Sequence, residues 1–413
     1  MQKVPLKRLC TIVSGTGFPN SYQGISDESI PFYKVGSLSK INSENYLNQA
    51  ENTISYDTAN ALGATLIPSQ SSLMAKIGAA VLLKRVAINA QESCIDNNMM
   101  AMIPKPNVHP KYLFYLLQTI QLEPLMNPGA VPNLNMEFFR NTSVPYVPWE
   151  EQKRIADELD RELAEIDEFI SDLLRLQDLL QERLASLTFD LATDASNPDR
   201  YETGHPFWKT LPKGWTLQKL GWHFRVGNGS TPLSTNEEYW SDDTDDIPWF
   251  NSSTVNQTIA ERPSRYVTKK AMQECHLPTV PAGSLLMGMI GQGKTRGMVT
   301  KTGIEATLSQ NVAYLTPMKN SGLDVDFALL ALKAAYPELR EINSGNGTTK
   351  GSLTCETIQQ FRVPTPEFHQ QLSLVSNFNI MKSKNTGLIN LAKKFELLSE
   401  KKSSLVDQFI NRR

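Results

Sequence analysis

At 413 residues the chain exceeds what one ordinary hydrophobic core holds, and a scale of roughly 150 residues per domain points to two or three. Hydrophobic residues make up 40% of it, mean hydropathy is -0.32, and no apolar run approaches the ~18 residues of a membrane span, so a globular protein without a spanning helix is expected. A net charge of -2 speaks mildly against a nucleic-acid partner, while four scattered cysteines (Cys10, Cys94, Cys275, Cys355) and five dispersed histidines speak against a disulfide framework or a metal site.

Taken in chain order, residues 1–148 read as a first globular domain. It mixes short apolar, strand-like runs such as 80–83 with a helical stretch at 110–121, followed by a Gly/Asn/Pro-rich loop at 127–133. Its N-terminal Met-Gln-Lys-Val-Pro lacks the apolar core of an export signal, and a reducing cytoplasm is the expected compartment. From 149 to 192 the pattern changes. Leu159, Leu163, Ile166, Ile170, Leu173, Leu180, Leu184, Leu187 and Leu191 follow in steps of four and three, with Gln177 filling the single gap. Such a seam predicts a coiled-coil helix of about 60 Å, bounded by Pro148 and Pro198. Residues 193–366 hold a polar linker up to 213 and a second domain, with a strand-like run at 284–287, a helical stretch at 325–336 and a Gly-rich loop at 343–351. Both domains read as α+β. The last segment, 367–413, repeats the heptad pattern more weakly through Leu374, Met381, Leu388, Leu391, Phe395, Leu398, Leu405 and Phe409. Asn377, Lys384 and Lys402 interrupt that seam, and Gly387 weakens its middle by about 1 kcal/mol relative to alanine.

Charge and repetition relate these segments. Residues 149–191 carry thirteen acids against five bases, and residues 367–413 carry four acids against eight bases. Opposite charge on the two longest helical patterns predicts that they pair with each other. The globular segments align internally at offsets of about 211–219 residues. In order, 4–9 answers to 215–220, 14–19 to 227–232, 30–36 to 247–253, 73–78 to 286–291, 133–135 to 352–354, and 148–152 to 366–370. Domain and helix are therefore used twice, as 1–148, 149–192, 193–366 and 367–413.

Three motifs then carry a family resemblance: Leu-Pro-x-Gly-Trp at 211–215, Gly-x-Gly-x-x-Pro at 227–232, and Pro-x-x-Glu-Gln at 148–152, which runs on as Lys153, Arg154, Ile155 and Ala156. With them the chain resembles, over essentially its whole length, the specificity subunits of type I restriction-modification enzymes. It departs from their pattern in lacking Leu-Pro-x-Gly-Trp at the first domain and in having His369 where glutamate is usual. The resemblance implies two target-recognition domains joined by two long antiparallel coiled-coil helices, with pseudo-two-fold symmetry. It also implies a non-catalytic reader of double-stranded DNA, each domain reading one half of a split target and the paired helices setting the gap. Two methyltransferase subunits would dock on the helices, and restriction subunits would join them. S-adenosylmethionine, ATP and Mg would belong to those partners, leaving no cofactor and no catalytic residue on this chain.

A sequence reader needs donors and acceptors on loops held by a rigid scaffold. The candidate loops are 14–20, 33–40 and 76–78 in the first domain and 227–235, 251–256 and 292–296 in the second, with Asn20, Lys34, Lys76, Asn228, Asn251, Lys294 and Arg296 as candidate DNA contacts. The stretch 288–295, Gly-Met-Ile-Gly-Gln-Gly-Lys-Thr, also satisfies the phosphate-loop pattern GxxxxGK[ST]. That chemistry requires a helix directly after the loop, whereas 296–303 has two glycines and β-branched residues and predicts a hairpin return. A phosphate-loop nucleotide hydrolase with a coiled-coil stalk, and a structural adaptor that binds no DNA, are the competing readings.

Overall fold

Near-continuous apolar runs become strands buried on both faces. The computed structural model describes residues 2–42, 45–291, 293–342, 352–384 and 387–411, with the side chains of 384, 387–393 and 396 outside the description. The chain forms two compact units, Met1–Leu173 with Ala392–Arg413, and Leu174–Leu391.

In the first unit five strands lie in the order Cys10–Ser14, Met99–Pro104, Ser72–Ala75, Val86–Asn89, Tyr46–Leu47. All neighbours are antiparallel except the last pair. Helix Pro110–Thr119 packs on this sheet and buries Tyr112 through Leu117 without a break, as a helix with no solvent face should. A smaller sheet pairs Ile30–Tyr33 with Thr53–Ile54 and Cys94–Ile95. The second unit repeats the large sheet in the same order: Phe224–Asn228, Val312–Pro317, Leu285–Gly288, Val299–Thr302, Ile259–Ala260. Leu73 lies opposite Ala87 and Ala101, and Leu286, 213 positions on, lies opposite Thr300 and Tyr314. Register as well as topology is duplicated.

The helix entries show the same duplication in side-chain detail. Gln152 is fully buried; its amide donates to the carbonyls of Val147 (2.8 Å) and Asn107 (3.2 Å), and its Oε1 accepts from the His109 amide (2.8 Å). Gln371 is equally buried, donates to Pro366 and Gly322 (2.9 Å each) and accepts from Asp324 (2.7 Å). His109 and Asp324 are the residues that precede helices Pro110–Thr119 and Val325–Ala334. Each glutamine therefore ties the start of a long helix to the start of the helix on the sheet. Gln371, not Gln370, is the counterpart of Gln152, so the repeat at this point is one residue out of the register read from sequence. Glu150 then corresponds to His369, and Glu151 to Gln370.

Helix Trp149–Ala192 runs 44 residues. In the first unit Leu159, Ile166 and Leu173 are buried and Leu163 and Ile170 half-buried, while most residues between them are exposed. Helix Gly387–Ile410 packs there in antiparallel sense: Lys394 lies over the Phe169 ring at 5.2 Å, Lys402 reaches Asp167 at 2.5 Å, and Phe409 and Ile410 join the core that holds Ile155 and Leu159. Phe395 and Leu398 are half-buried on the same helix; the side chains of Leu388 and Leu391 lie outside the described residues. In the second unit Leu180, Leu184 and Leu187 are half-buried, and Ala192 shares a core with Leu374 and Phe378 of helix Phe368–Lys384. The apolar seam decides the pairing. An exposed pair such as Asp167–Lys402 adds about 0–1 kcal/mol, against roughly 1.5–3 kcal/mol for each buried leucine or isoleucine.

Two expectations need correction. The apolar run 80–83 is no strand but part of a 3-10 turn, Ala79–Leu83, which leaves Leu82 and Leu83 more than half exposed. Gly78 (φ 90°) and Lys84 (φ 48°) bracket it in left-handed conformations that break extension on both sides. The stretch 193–213 is no loose linker either. It carries the hairpin Arg200–Glu202/Thr210–Pro212 and delivers Trp208 and Leu211 fully buried into the second core. The Trp208 indole donates to the carbonyl of Arg362 (2.9 Å) and stacks on Phe189.

Candidate nucleic-acid interface

Backbone hydrogen bonds gather several chain segments along one edge of the first unit. Thr16 donates to Ile95 (3.0 Å), Asp96 to Tyr33 (3.0 Å), and Lys76 to Asn98 (2.8 Å). Gly15 is required here, because a Cβ at that position would overlap the carbonyls of Ile95 and Asp96.

The side chains at this edge form one polar chain. Gln23 donates to Asn20 Oδ1 (3.1 Å) and to the Phe18 carbonyl (3.0 Å), and Lys34 Nζ donates to Gln23 Oε1 (2.9 Å). Asp96 is only 7% exposed, and its Oδ1 accepts from the Asn98 amide at 3.0 Å. Burial pushes its carboxyl above the usual range, opposed by backbone amides and the nearby Lys34 ammonium. Burial likewise lowers the Lys76 ammonium, and Asp96 opposes that shift. Asn20, Lys34 and Lys76, three candidates from sequence, thus meet around Asp96 and Gln23, which sequence reading missed. Asp96 shows its place only once strands Ile30–Tyr33 and Cys94–Ile95 are known to run parallel side by side.

The second unit builds the same edge from different side chains. Ser230 donates to Leu308, Ser309 to Phe250 and Met289 to Asn311, each at 2.9 Å. Gly229 takes the place of Gly15, since a Cβ there would overlap the Leu308 carbonyl. The glycine turn is therefore also one residue out of the register read from sequence. Asn251 stands where Lys34 stands, Met289 where Lys76 stands, and Ser309 where Asp96 stands. Asn251 Oδ1 accepts from the Ser253 amide (2.8 Å) and hydroxyl (2.6 Å), and Asn228 donates to the Gln310 carbonyl (3.3 Å). Trp249 donates to the Ser230 carbonyl (3.2 Å) and meets Trp240 edge-on, with Arg265 3.8 Å above the Trp240 ring. These aromatic groups were also missed; Trp249 is buried and Trp240 half-buried, so together they hold the Arg265 guanidinium at this edge as a fixed cation.

The two remaining candidates lie elsewhere. Arg296 is 7% exposed and its guanidinium donates to the Arg340 carbonyl, so it is packed in the protein rather than presented on a loop surface. Lys294 is exposed and borders a cavity with Lys333 and Lys382; the nearby Gln292 lies outside the described residues. After the phosphate-loop pattern the chain returns as strand Val299–Thr302, with Gly297 donating to Gly288 (2.9 Å), so the helix that a nucleotide site requires is replaced by a hairpin. Among the described residues no cluster of three or more His, Cys, Asp or Glu could hold a metal, and no helix is long and apolar enough to cross a membrane.

A model of the type I restriction modification DNA specificity domain matches residues 1–174 and 212–394. The chain belongs to that family. Each matched stretch spans one sheet-bearing domain and runs on into a long helix. Among curated relatives, a 173-residue stretch is 26% identical to the type I restriction enzyme MjaIX specificity subunit of Methanocaldococcus jannaschii, a match covering 41% of this chain and 38% of that protein. Two solved structures share the fold. One, from work on complex assembly and conformational transition of the type I R-M system, covers 100% of this chain and 97% of its own at 17% identity and a TM-score of 0.67. The other, the HsdS subunit from Thermoanaerobacter tengcongensis, covers 100% and 96% at 16% identity and a TM-score of 0.51.

Proposed function

We propose that the chain is the non-catalytic DNA-recognition subunit of a type I restriction-modification complex, working in the cytoplasm. Each unit reads one half of a bipartite duplex target, and the paired helices set the spacer and dock two methyltransferase subunits, with restriction subunits joining them. S-adenosylmethionine, ATP and Mg are bound by those partners. One observation carries this reading: the two units build the same backbone edge around different side chains, half-buried Lys34 and Lys76 beside buried Asp96 in one and half-buried Asn251 beside buried Met289 and Ser309 in the other. A duplicated scaffold with divergent edge groups suits a reader of two unlike half-sites.

The test is a methylation map of a host genome expressing the methyltransferase partner with this chain. A split adenine-methylated motif is expected. Replacing Lys34, Lys76 and Asp96 by Asn, Met and Ser should alter one half of that motif and leave the other intact. Methylation independent of the chain, or a change in both halves at once, would refute the reading.

A further inference from the structure

The second unit holds a cavity of about 390 Å³ that the reading edge does not use. Its rim carries Lys294, Lys333 and Lys382, together with Tyr336 and residues 255–258, and no carboxylate lines it among the described residues. None of the three ammonium groups takes part in an ion pair among the described residues. The loop bearing Lys294 is fixed: Tyr336 Oη donates to the Lys294 carbonyl (2.6 Å), Arg340 donates to the Gly293 carbonyl, and Arg296 donates to the Arg340 carbonyl. Lys294 is the lysine of the GxxxxGK[ST] pattern, set in a hairpin instead of at a helix start.

The first unit supplies a control. The positions matching Lys294, Lys333 and Lys382 are Val81, Gln118 and Leu163, all uncharged. The duplicated fold therefore does not need cations at these three places. Gathering them is costly: burial and the neighbouring Lys382 bring the Lys333 ammonium down to about 8. An uncompensated cationic cavity of ligand size calls for an anion, and lysines, compact point charges with three donors each, suit a tetrahedral, multiply charged oxyanion.

We propose that this cavity binds a phosphate group, either as the free anion or as one phosphate of a nucleic-acid backbone. The free-anion form stands apart from the DNA-reader function; the backbone form rests on it. The nucleotide-hydrolase chemistry of a phosphate loop is not implied, since the helix it uses is absent from the hairpin.

The experiment follows acetylation of individual lysines in the full chain by peptide mass spectrometry, at pH 7.5 and constant ionic strength. Inorganic phosphate, pyrophosphate or a DNA duplex serves as the probe, and the exposed Lys209 as internal control. An anion in the cavity raises the Lys333 pKa and covers its amine, so its acetylation should slow at least about five-fold while Lys209 is unchanged. Lys382→Met should weaken that protection about ten-fold in probe concentration. Protection by inorganic phosphate or pyrophosphate identifies a free anion as the ligand. Protection by duplex alone identifies a backbone phosphate, and Lys382→Met should then lower the salt slope of duplex binding by about one. If the chain binds no duplex but phosphate protects, the reader function fails and the cavity assignment stands. Unchanged Lys333 acetylation under all three probes overturns the proposal.

Discussion

Substituting Gln371 by alanine is expected to destabilise the second unit by about 3 kcal/mol. The side chain is fully buried and makes three hydrogen bonds, so its removal orphans the Asp324 amide and the carbonyls of Gly322 and Pro366. The bond to Pro366 is buried and its loss costs about 1–3 kcal/mol, while the two part-buried bonds cost about 0.5–1.5 kcal/mol each, which places the sum near 3 kcal/mol. With a urea slope of about 2 kcal/mol/M, the midpoint should fall by about 1.5 M. Tryptophan fluorescence isolates the unit: Trp208, Trp215, Trp222, Trp240 and Trp249 all lie in it, and Trp149→Phe removes the signal of the other. Gln370→Ala is the control. Gln370 is only half-buried and its Oε1 has no hydrogen-bond partner among the described residues, so its loss should cost less than about 0.5 kcal/mol. If the two substitutions shift the midpoint equally, or Gln371→Ala shifts it by less than about 0.25 M, the clamp and the corrected repeat register are both wrong.

Three further outcomes follow from the same geometry. Gly229→Ala places a methyl group on the Leu308 carbonyl and should cost at least about 2 kcal/mol in urea unfolding, whereas Gly293→Ala, with open space around it, should cost little. A double-mutant cycle between Asp96→Ser and Lys76→Met should give a coupling of about 1 kcal/mol; zero coupling would mean that the two groups do not sense each other. For Lys333 the folded pKa of about 8 lies below the ordinary 10.5, so the unfolded chain binds more protons between those values and stability rises with pH across that window. Lys333→Met should therefore raise stability at pH 7 by up to about 3 kcal/mol, and the gain should vanish by pH 10.5, as read by thermal unfolding at pH 7, 9 and 10.5.

Periodicity made the long helix legible almost residue by residue: each seam position from Leu159 to Leu191 is buried or half-buried. The strand order was not legible, because the pairing of 2–5 with 143–146, or of 30–33 with 94–95, joins segments far apart in sequence. Both register errors have a physical cause. Setting Pro19 against Pro232 pairs Gly15 with Asn228, and only the overlap of a Cβ with a facing carbonyl shows that Gly15 answers to Gly229. Gln370 and Gln371 are adjacent identical residues, and only burial distinguishes the clamp from its neighbour. Asp96 escaped because nothing local marks an aspartate in an Asp-Asn-Asn turn as buried beside two lysines. Trp208 escaped because the polar composition around it outweighed a single aromatic pair.

The two units act as controls for each other, and the comparison separates scaffold from message. Gln152 and Gln371 keep the same three bonds. Gly15 and Gly229 meet the same kind of carbonyl. Leu134 and Leu353 are both buried and donate to the carbonyls of Lys76 and Met289 at 2.9 Å. Only the backbone of positions 76 and 289 enters that last contact, which leaves their side chains free to differ as lysine and methionine. The charged set also has an internal logic. A carboxylate as buried as Asp96 needs cations and amides around it, and two half-buried lysines without it would repel each other. Changing Asp96 alone leaves ammonium groups uncompensated, and changing the lysines alone strands a buried carboxylate. A stable switch from the charged edge of the first unit to the neutral edge of the second therefore requires exchanging the cluster as a set. Specificity at this edge should be recoded in blocks, not one residue at a time.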